Sequence, residues 1–126
     1  MMTTLLQVAA GGAVGASARF LLGIGIVRLF GLREIPIAVL SANILGSFLM
    51  GILVHLLLVR GLNHLAPFLM VGVLGGFTTF SSFSLEAVNL MEKGAYGAAA
   101  IYVGLSVVGS ICGLIAGLWL MRSIMT

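Results

Sequence analysis

The chain is nearly without charge. Six basic and three acidic residues among 126 make only 7% of it charged, while 61% is hydrophobic. A soluble domain of this length has no use for so much apolar surface, and the class that remains is integral membrane protein. The net charge of +3 comes from a few residues at segment ends. No basic cluster runs along the chain, which excludes nucleic acid as a partner. The single cysteine, Cys112, excludes an internal disulfide and reads as a small buried hydrophobe. Catalytic equipment is missing too: no nucleophile with a base and an orienting group, no paired carboxylates, no phosphate-cradling loop. The chain is therefore not an enzyme. His55 and His64 have no second ligand at metal spacing. No basic stretch precedes the first apolar run, so Leu5 onward reads as a retained span and not as a cleaved signal.

What is present is four apolar segments, over residues 5–26, 36–59, 67–90 and 95–121. Each is near the roughly 20 residues that a helix needs to cross a bilayer. Both prolines, Pro36 and Pro67, stand at segment starts, where proline suits a helix. The connections are short and leave no room for a separate soluble domain. The expected fold is a single all-α domain of four transmembrane helices, with membrane lipid as its surroundings. Eighteen glycines fit that class, because small residues let membrane helices approach closely. Gly11 with Gly15, and Gly109 with Gly113 and Gly117, mark packing faces, either within the chain or between copies.

Four spans put both termini on one side with the second loop. Arg60 and Arg122 lie on that side, and Arg28, Arg33 and Lys93 on the other. The positive-inside rule needs an asymmetry, and three against two barely supplies one. Such a chain can insert both ways round, which permits an antiparallel dimer; a weakly biased single orientation accounts for the count equally well. Four helices hardly enclose a polar route alone, and this favours an oligomer.

One stretch departs from an ordinary span: Gly75-Gly76-Phe77-Thr78-Thr79-Phe80-Ser81-Ser82-Phe83-Ser84. The glycine pair and the stiff β-branched threonines predict a break near the middle of the third helix. Five hydroxyls, on Thr78, Thr79, Ser81, Ser82 and Ser84, cannot all face lipid. Irregular backbone at this depth is tolerated where it is buried or lines a cavity. Phe80 and Phe83, three apart, share a helix face. Their electropositive ring edges would offer an anion a weakly attractive surface. Asn43, near the middle of the second span, is a donor suited to an anion or a hydrogen-bonding tie between helices. Tyr102, Ser106 and Ser110 recur every four residues and form one polar stripe on the fourth span. Arg19 lies beyond the middle of the first span, where it either snorkels or attracts anions to a pore mouth. Ser81 and Ser84 complete the set of candidate anion contacts.

The run GGFTTFSSFS closely resembles the signature of the Fluc family of bacterial fluoride channels. The resemblance extends to Asn43 within NILGS, Arg19 within GASAR, Glu86, and the Tyr102, Ser106 and Ser110 stripe, and so covers all four segments. It implies an antiparallel, dual-topology homodimer in the bacterial inner membrane, with two pores that let fluoride leave the cytoplasm passively. By position, Phe80 and Phe83 resemble the pore-lining phenylalanines, Asn43 the polar pore residue, and the stripe the polar track. Gly75 and Thr78 resemble the residues whose backbone carbonyls hold a central structural sodium ion (Na+). Two departures stand out: Ser82 where threonine is familiar, and Val39 where relatives can carry a hydroxyl.

Two other readings compete. A small proton-coupled multidrug exporter needs a carboxylate deep in the membrane, whereas Glu34 lies in a loop and no span has a central acid. A structural membrane subunit without transport activity has no need of five hydroxyls and paired phenylalanines beside a broken helix.

Overall fold

The computed structural model describes residues 1–125, and among these it is helical throughout, without strands. Helix α1 is Met2–Phe30 and α2 is Ile37–Val59. A single 3-10 turn, Asn63–Leu65, leads into the third span. That span begins with α3, residues 67–77, which is π-helical over Pro67–Leu74 and closes with the α-helical turn Gly75–Phe77. After a gap at Thr78 and Thr79 the same span continues as α4, Phe80–Glu92. Helix α5 is Tyr96–Met125. Four helical units, counting α3 and α4 as one, are long and apolar enough to cross a membrane.

The helices stop for local reasons. Gly61 and Gly94 take the left-handed conformation, with φ of +67° and +78°, that ends a helix without a Cβ penalty. Beyond each, the chain turns back onto its helix: Leu62 N–H donates to the Leu57 carbonyl and Ala95 N–H to the Leu90 carbonyl. Large apolar side chains such as Phe20, Leu21, Ile115 and Trp119 stand exposed along the outside of the bundle. A soluble domain would bury them; in a bilayer they meet lipid.

The glycine motifs pack the chain against itself. Gly11 and Gly15 are buried against α3, where an added Cβ would run into the carbonyls of Phe68 and Val73. On the other side of the bundle Gly117 meets the Phe48 carbonyl of α2 in the same way, and Gly113 lies against Ile44. The blocking atoms are backbone, so they cannot turn aside as a side chain would. Gly15→Val should therefore cost on the order of 1–3 kcal/mol, the range for overpacking a close-packed interior. Unfolding in detergent mixtures reads this directly; an unchanged midpoint would show that α1 and α3 do not approach so closely.

A small core forms where α4 meets α5. Phe83, Ala87 and Leu90 pack on Ala99 and Tyr102, with Val39 and Leu40 of α2 against them. Packing of Val39 and Leu40 on this core places α2, which carries Asn43 to the helix break.

Candidate functional site

The break is two residues of extended backbone. Thr78 has φ −89° and ψ 158°, and Thr79 has φ −152° and ψ 123°. Of the stretch expected to weaken the helix, the glycine pair and the two threonines after it, Gly75 and Gly76 remain helical and the chain opens at the threonines. β-Branched threonine favours extended backbone, and Thr79 also gains a role there. It is the N-cap of α4: its Oγ1 accepts the Ser82 N–H at 3.1 Å.

Asn43 completes the break from across the bundle. Its Nδ2 donates to the Thr79 carbonyl at 2.9 Å, and its Oδ1 accepts the Thr79 N–H at 2.8 Å. The side-chain amide thus pairs with both backbone groups of one residue, as a neighbouring β-strand would. The interhelical tie is the role seen here, with one amide hydrogen left over.

These bonds have a consequence for two carbonyls. An unbroken α-helix would give the Thr79 N–H to the Gly75 carbonyl and the Ser82 N–H to the Thr78 carbonyl. Asn43 takes the first and the Thr79 hydroxyl takes the second. The Thr78 hydroxyl does not compensate, because it donates to the Leu74 carbonyl at 2.9 Å. Gly75 and Thr78 are left with carbonyl oxygens deprived of their helical donors, the donor set that suits a hard cation.

Beside the break lies an open cavity of about 400 Å³. Asn43 and Ser47 line it from α2, Phe80 and Phe83 from α4, and Ser106 and Ser110 from α5. Phe80 and Phe83 sit with ring centroids 5.5 Å apart at 49°, and Phe83 and Tyr102 at 5.3 Å and 43°. Tilted pairs of this kind bring the edge of one ring toward the face of the other. The Tyr102 and Ser106 hydroxyls are buried without a hydrogen-bond partner among the described residues. Tyr102 is 0% exposed and Ser106 6%. Buried hydroxyls left unpaired are expensive, so each calls for a ligand or a water.

The sequence profile of the family described as CrcB-like protein, Camphor Resistance (CrcB) matches residues 6–118. The chain belongs to that CrcB family. A protein from Ruegeria sp. (strain TM1040) is 56% identical over 126 residues, covering 100% of both chains, and is named fluoride-specific ion channel FluC. Proteins with the same name from Cereibacter sphaeroides (strain ATCC 17029 / ATH 2.4.9; 57% identical, 97% of both chains) and Agrobacterium fabrum (49% identical, 98% of this chain and 99% of the relative) are similarly related. The CrcB-family chain is accordingly a multi-pass membrane protein.

Not every residue singled out in this CrcB-family sequence reaches the cavity. Ser81 is exposed and contacts the Thr79 hydroxyl at 3.4 Å, while Ser84 donates to the Phe80 carbonyl of its own helix at 2.9 Å. Serine in a helix commonly back-bonds in this way. Arg19 faces a second cavity, of about 770 Å³, which it lines with Arg28 and Val39. Cys112, expected to be buried, is exposed on α5; a thiol is apolar enough for the lipid-facing side of a span. Phe80 and Phe83 differ in burial despite their contact: Phe83 belongs to the core, whereas Phe80 is 78% exposed. Ser47, expected from the sequence to flank Asn43 on another helix face, instead lines the same cavity. Its four-residue spacing from Asn43, which puts both on one helix face, was the available signal.

Proposed function

We propose that the chain is the subunit of a fluoride channel, with fluoride as the permeant ion and a second, antiparallel copy as the partner. The observation that carries this reading is the cavity at the break, where two phenyl rings, an amide and serine hydroxyls meet. Fluoride is small and strongly hydrated, so leaving water demands a dense replacement shell of donors. Ser106, Ser110 and the remaining Asn43 hydrogen supply donors, and the Tyr102 hydroxyl continues the row on α5. Phe80 and Phe83 would offer their ring edges without a charge that would trap the ion. The route is passive, since no span has a central carboxylate to exchange protons, as a proton-coupled multidrug exporter requires. A structural subunit leaves the unpaired Tyr102 and Ser106 hydroxyls unexplained.

Exposure of Phe80 supports a partner: in the antiparallel arrangement a second copy covers it and closes the cavity. The carbonyls of Gly75 and Thr78 from the two copies would then supply four oxygens to one sodium ion on the two-fold axis. Such an ion would neutralise the carbonyl dipoles and tie the copies together without being transported.

Cells that lack their own fluoride export test the function. Expression of this chain should restore growth in fluoride, and no restoration with the protein in the membrane would contradict it. Phe80→Ile should abolish the rescue while leaving the fold intact, because Phe80 is outside the core. Phe83→Ile should also reduce it, with some loss of stability from the Tyr102 contact. Full rescue by both variants would place the pore elsewhere.

The near-even basic count makes a second expectation. Carboxyl-terminal reporters active on one side of the membrane should detect both orientations. Several lysines added to one loop should bias insertion and depress activity, which an oppositely biased copy restores. One orientation in every molecule contradicts the dual-topology dimer.

A further inference from the structure

Arg19 is held at the break by backbone packing. Helix α1 passes Gly76 so closely that an added Cβ there would stand 2.7 Å from the Gly12 carbonyl oxygen and 3.1 Å from the Ala16 nitrogen. Three residues after Ala16, Arg19 comes one turn further along the same face. Its Nε–H donates to the Gly76 carbonyl at 3.2 Å, across 57 residues of sequence. The Gly76 carbonyl needs such a donor. In an unbroken helix it would receive the Phe80 N–H, but Phe80 begins α4 beyond the gap.

The carbonyls around the break therefore fall into two groups. Those of Gly75 and Thr78 have lost their helical donors to Asn43 and to the Thr79 hydroxyl. The Gly76 carbonyl, between them in sequence, is occupied by Arg19. Gly75 and Gly76 are helical, but without a Cβ they hold that backbone weakly next to the gap, and a donor on the Gly76 carbonyl from another helix secures its peptide.

We infer that Arg19 is a positioning residue of the helix break: its Nε–H, not its charge, fixes the Gly76 peptide and so presents the Gly75 and Thr78 carbonyls to the cation. This rests on the reading of those carbonyls as a sodium site. It assigns Arg19 a different function from collecting anions at a pore mouth.

Two substitutions separate nitrogen from charge. In glutamine, Nε2 is bonded to Cδ and takes the place of the arginine Nε, so Arg19→Gln keeps the donor and removes the charge. In lysine a methylene takes that place and the ammonium lies one bond further out, so Arg19→Lys keeps the charge and moves the donor. Each purified variant is checked for an intact dimer, then followed by thermal melting across a sodium titration and by fluoride efflux from proteoliposomes at equal sodium. Arg19→Gln should stay within about threefold of the parent in efflux and in the sodium concentration for half-maximal stabilisation. Arg19→Lys should lose about tenfold in efflux and need about tenfold more sodium, the scale of one buried hydrogen bond. A working Lys variant beside a failed Gln variant would overturn the inference in favour of charge. Two normal variants, or two equally impaired ones, would overturn it as well. If the Lys variant does not fold, a sodium requirement shifted tenfold in the Gln variant still decides against the inference. A parent protein without any sodium dependence would remove the cation reading, whereas the Gln and Lys efflux comparison would still judge the Arg19 bond.

Discussion

Asn43→Asp should all but abolish fluoride efflux, through two effects that act together. The first is structural. Aspartate retains an oxygen to accept the Thr79 N–H but replaces Nδ2 with a second oxygen facing the Thr79 carbonyl. One hydrogen bond is lost and two acceptors are set against each other, a cost of about 1–3 kcal/mol to the order of the break. The second is electrostatic. The carboxylate would face the cavity shared with Phe80, Phe83, Ser106 and Ser110. At an effective dielectric constant of about 20, a negative charge ~5 Å from an anion costs on the order of 3 kcal/mol, which alone is roughly a hundredfold in occupancy. Asn43→Ser removes the tie without adding charge and should be milder. Fluoride efflux from proteoliposomes measures both. Parent-level efflux through the Asp variant would mean that no anion passes this cavity, and equal losses in Asp and Ser would assign the whole effect to the break.

If sodium joins two copies in the proposed dimer, its exhaustive removal should abolish efflux and loosen that dimer together. The reasoning starts from Gly75 and Thr78, whose carbonyls have given up their helical donors at mid-span. The hydroxyls nearest to them do not replace those donors: Thr78 is engaged with Leu74, and Thr79 with Ser82. A ligand present at a hundred times its dissociation constant stabilises the state that binds it by about 2.7 kcal/mol. The dimer should lose a contribution of that order when a large organic cation replaces sodium on both sides. Efflux should fall with it, yet a sodium gradient should not drive fluoride uphill. Thr78→Ser should be tolerated, since the ligand atom is backbone. Unchanged efflux and unchanged dimer stability after complete exchange would eliminate the site.

Much of the fold is legible in the sequence because a bilayer imposes coarse rules. Four apolar runs separated by short polar turns can become little else than four spanning helices, and the observed helices extend past the apolar runs into Phe30 and Met125. The break is legible as well, from hydroxyls packed too densely for a lipid-facing helix. Its location is legible only within a few residues, since the glycines weaken a helix that packing then restores. The π-helical turns over Pro67–Leu74 left no trace in the pattern. Their wider register brings the Gly75 N–H to the Met70 carbonyl, and no side chain reports it.

Partners across the bundle were hidden for a different reason. The pairing of Asn43 with Thr79 and that of Arg19 with Gly76 both join a side chain to backbone, and backbone has no sequence signature. From composition, Asn43 reads as either a pore donor or a tie; geometry supplies the tie. Arg19 reads as a surface-seeking or anion-attracting cation, whereas its Nε lies on a carbonyl. The stripe on α5 fared better, since a four-residue repeat fixes a helix face without knowledge of the neighbour. Ser106 and Ser110 both line the cavity, and Tyr102 lies one turn earlier against Phe83.

The central claim is that this cavity conducts fluoride, and one measurement addresses it most directly. Purified protein is reconstituted into liposomes loaded with equal fluoride and chloride, and efflux is started with a potassium ionophore so that charge can follow. Separate electrodes record the two halides. The account predicts rapid, protein-dependent loss of fluoride while chloride is retained, with both signals flat in empty liposomes. Equal loss of the two ions, or no loss of fluoride from vesicles shown to contain the folded protein, would contradict it.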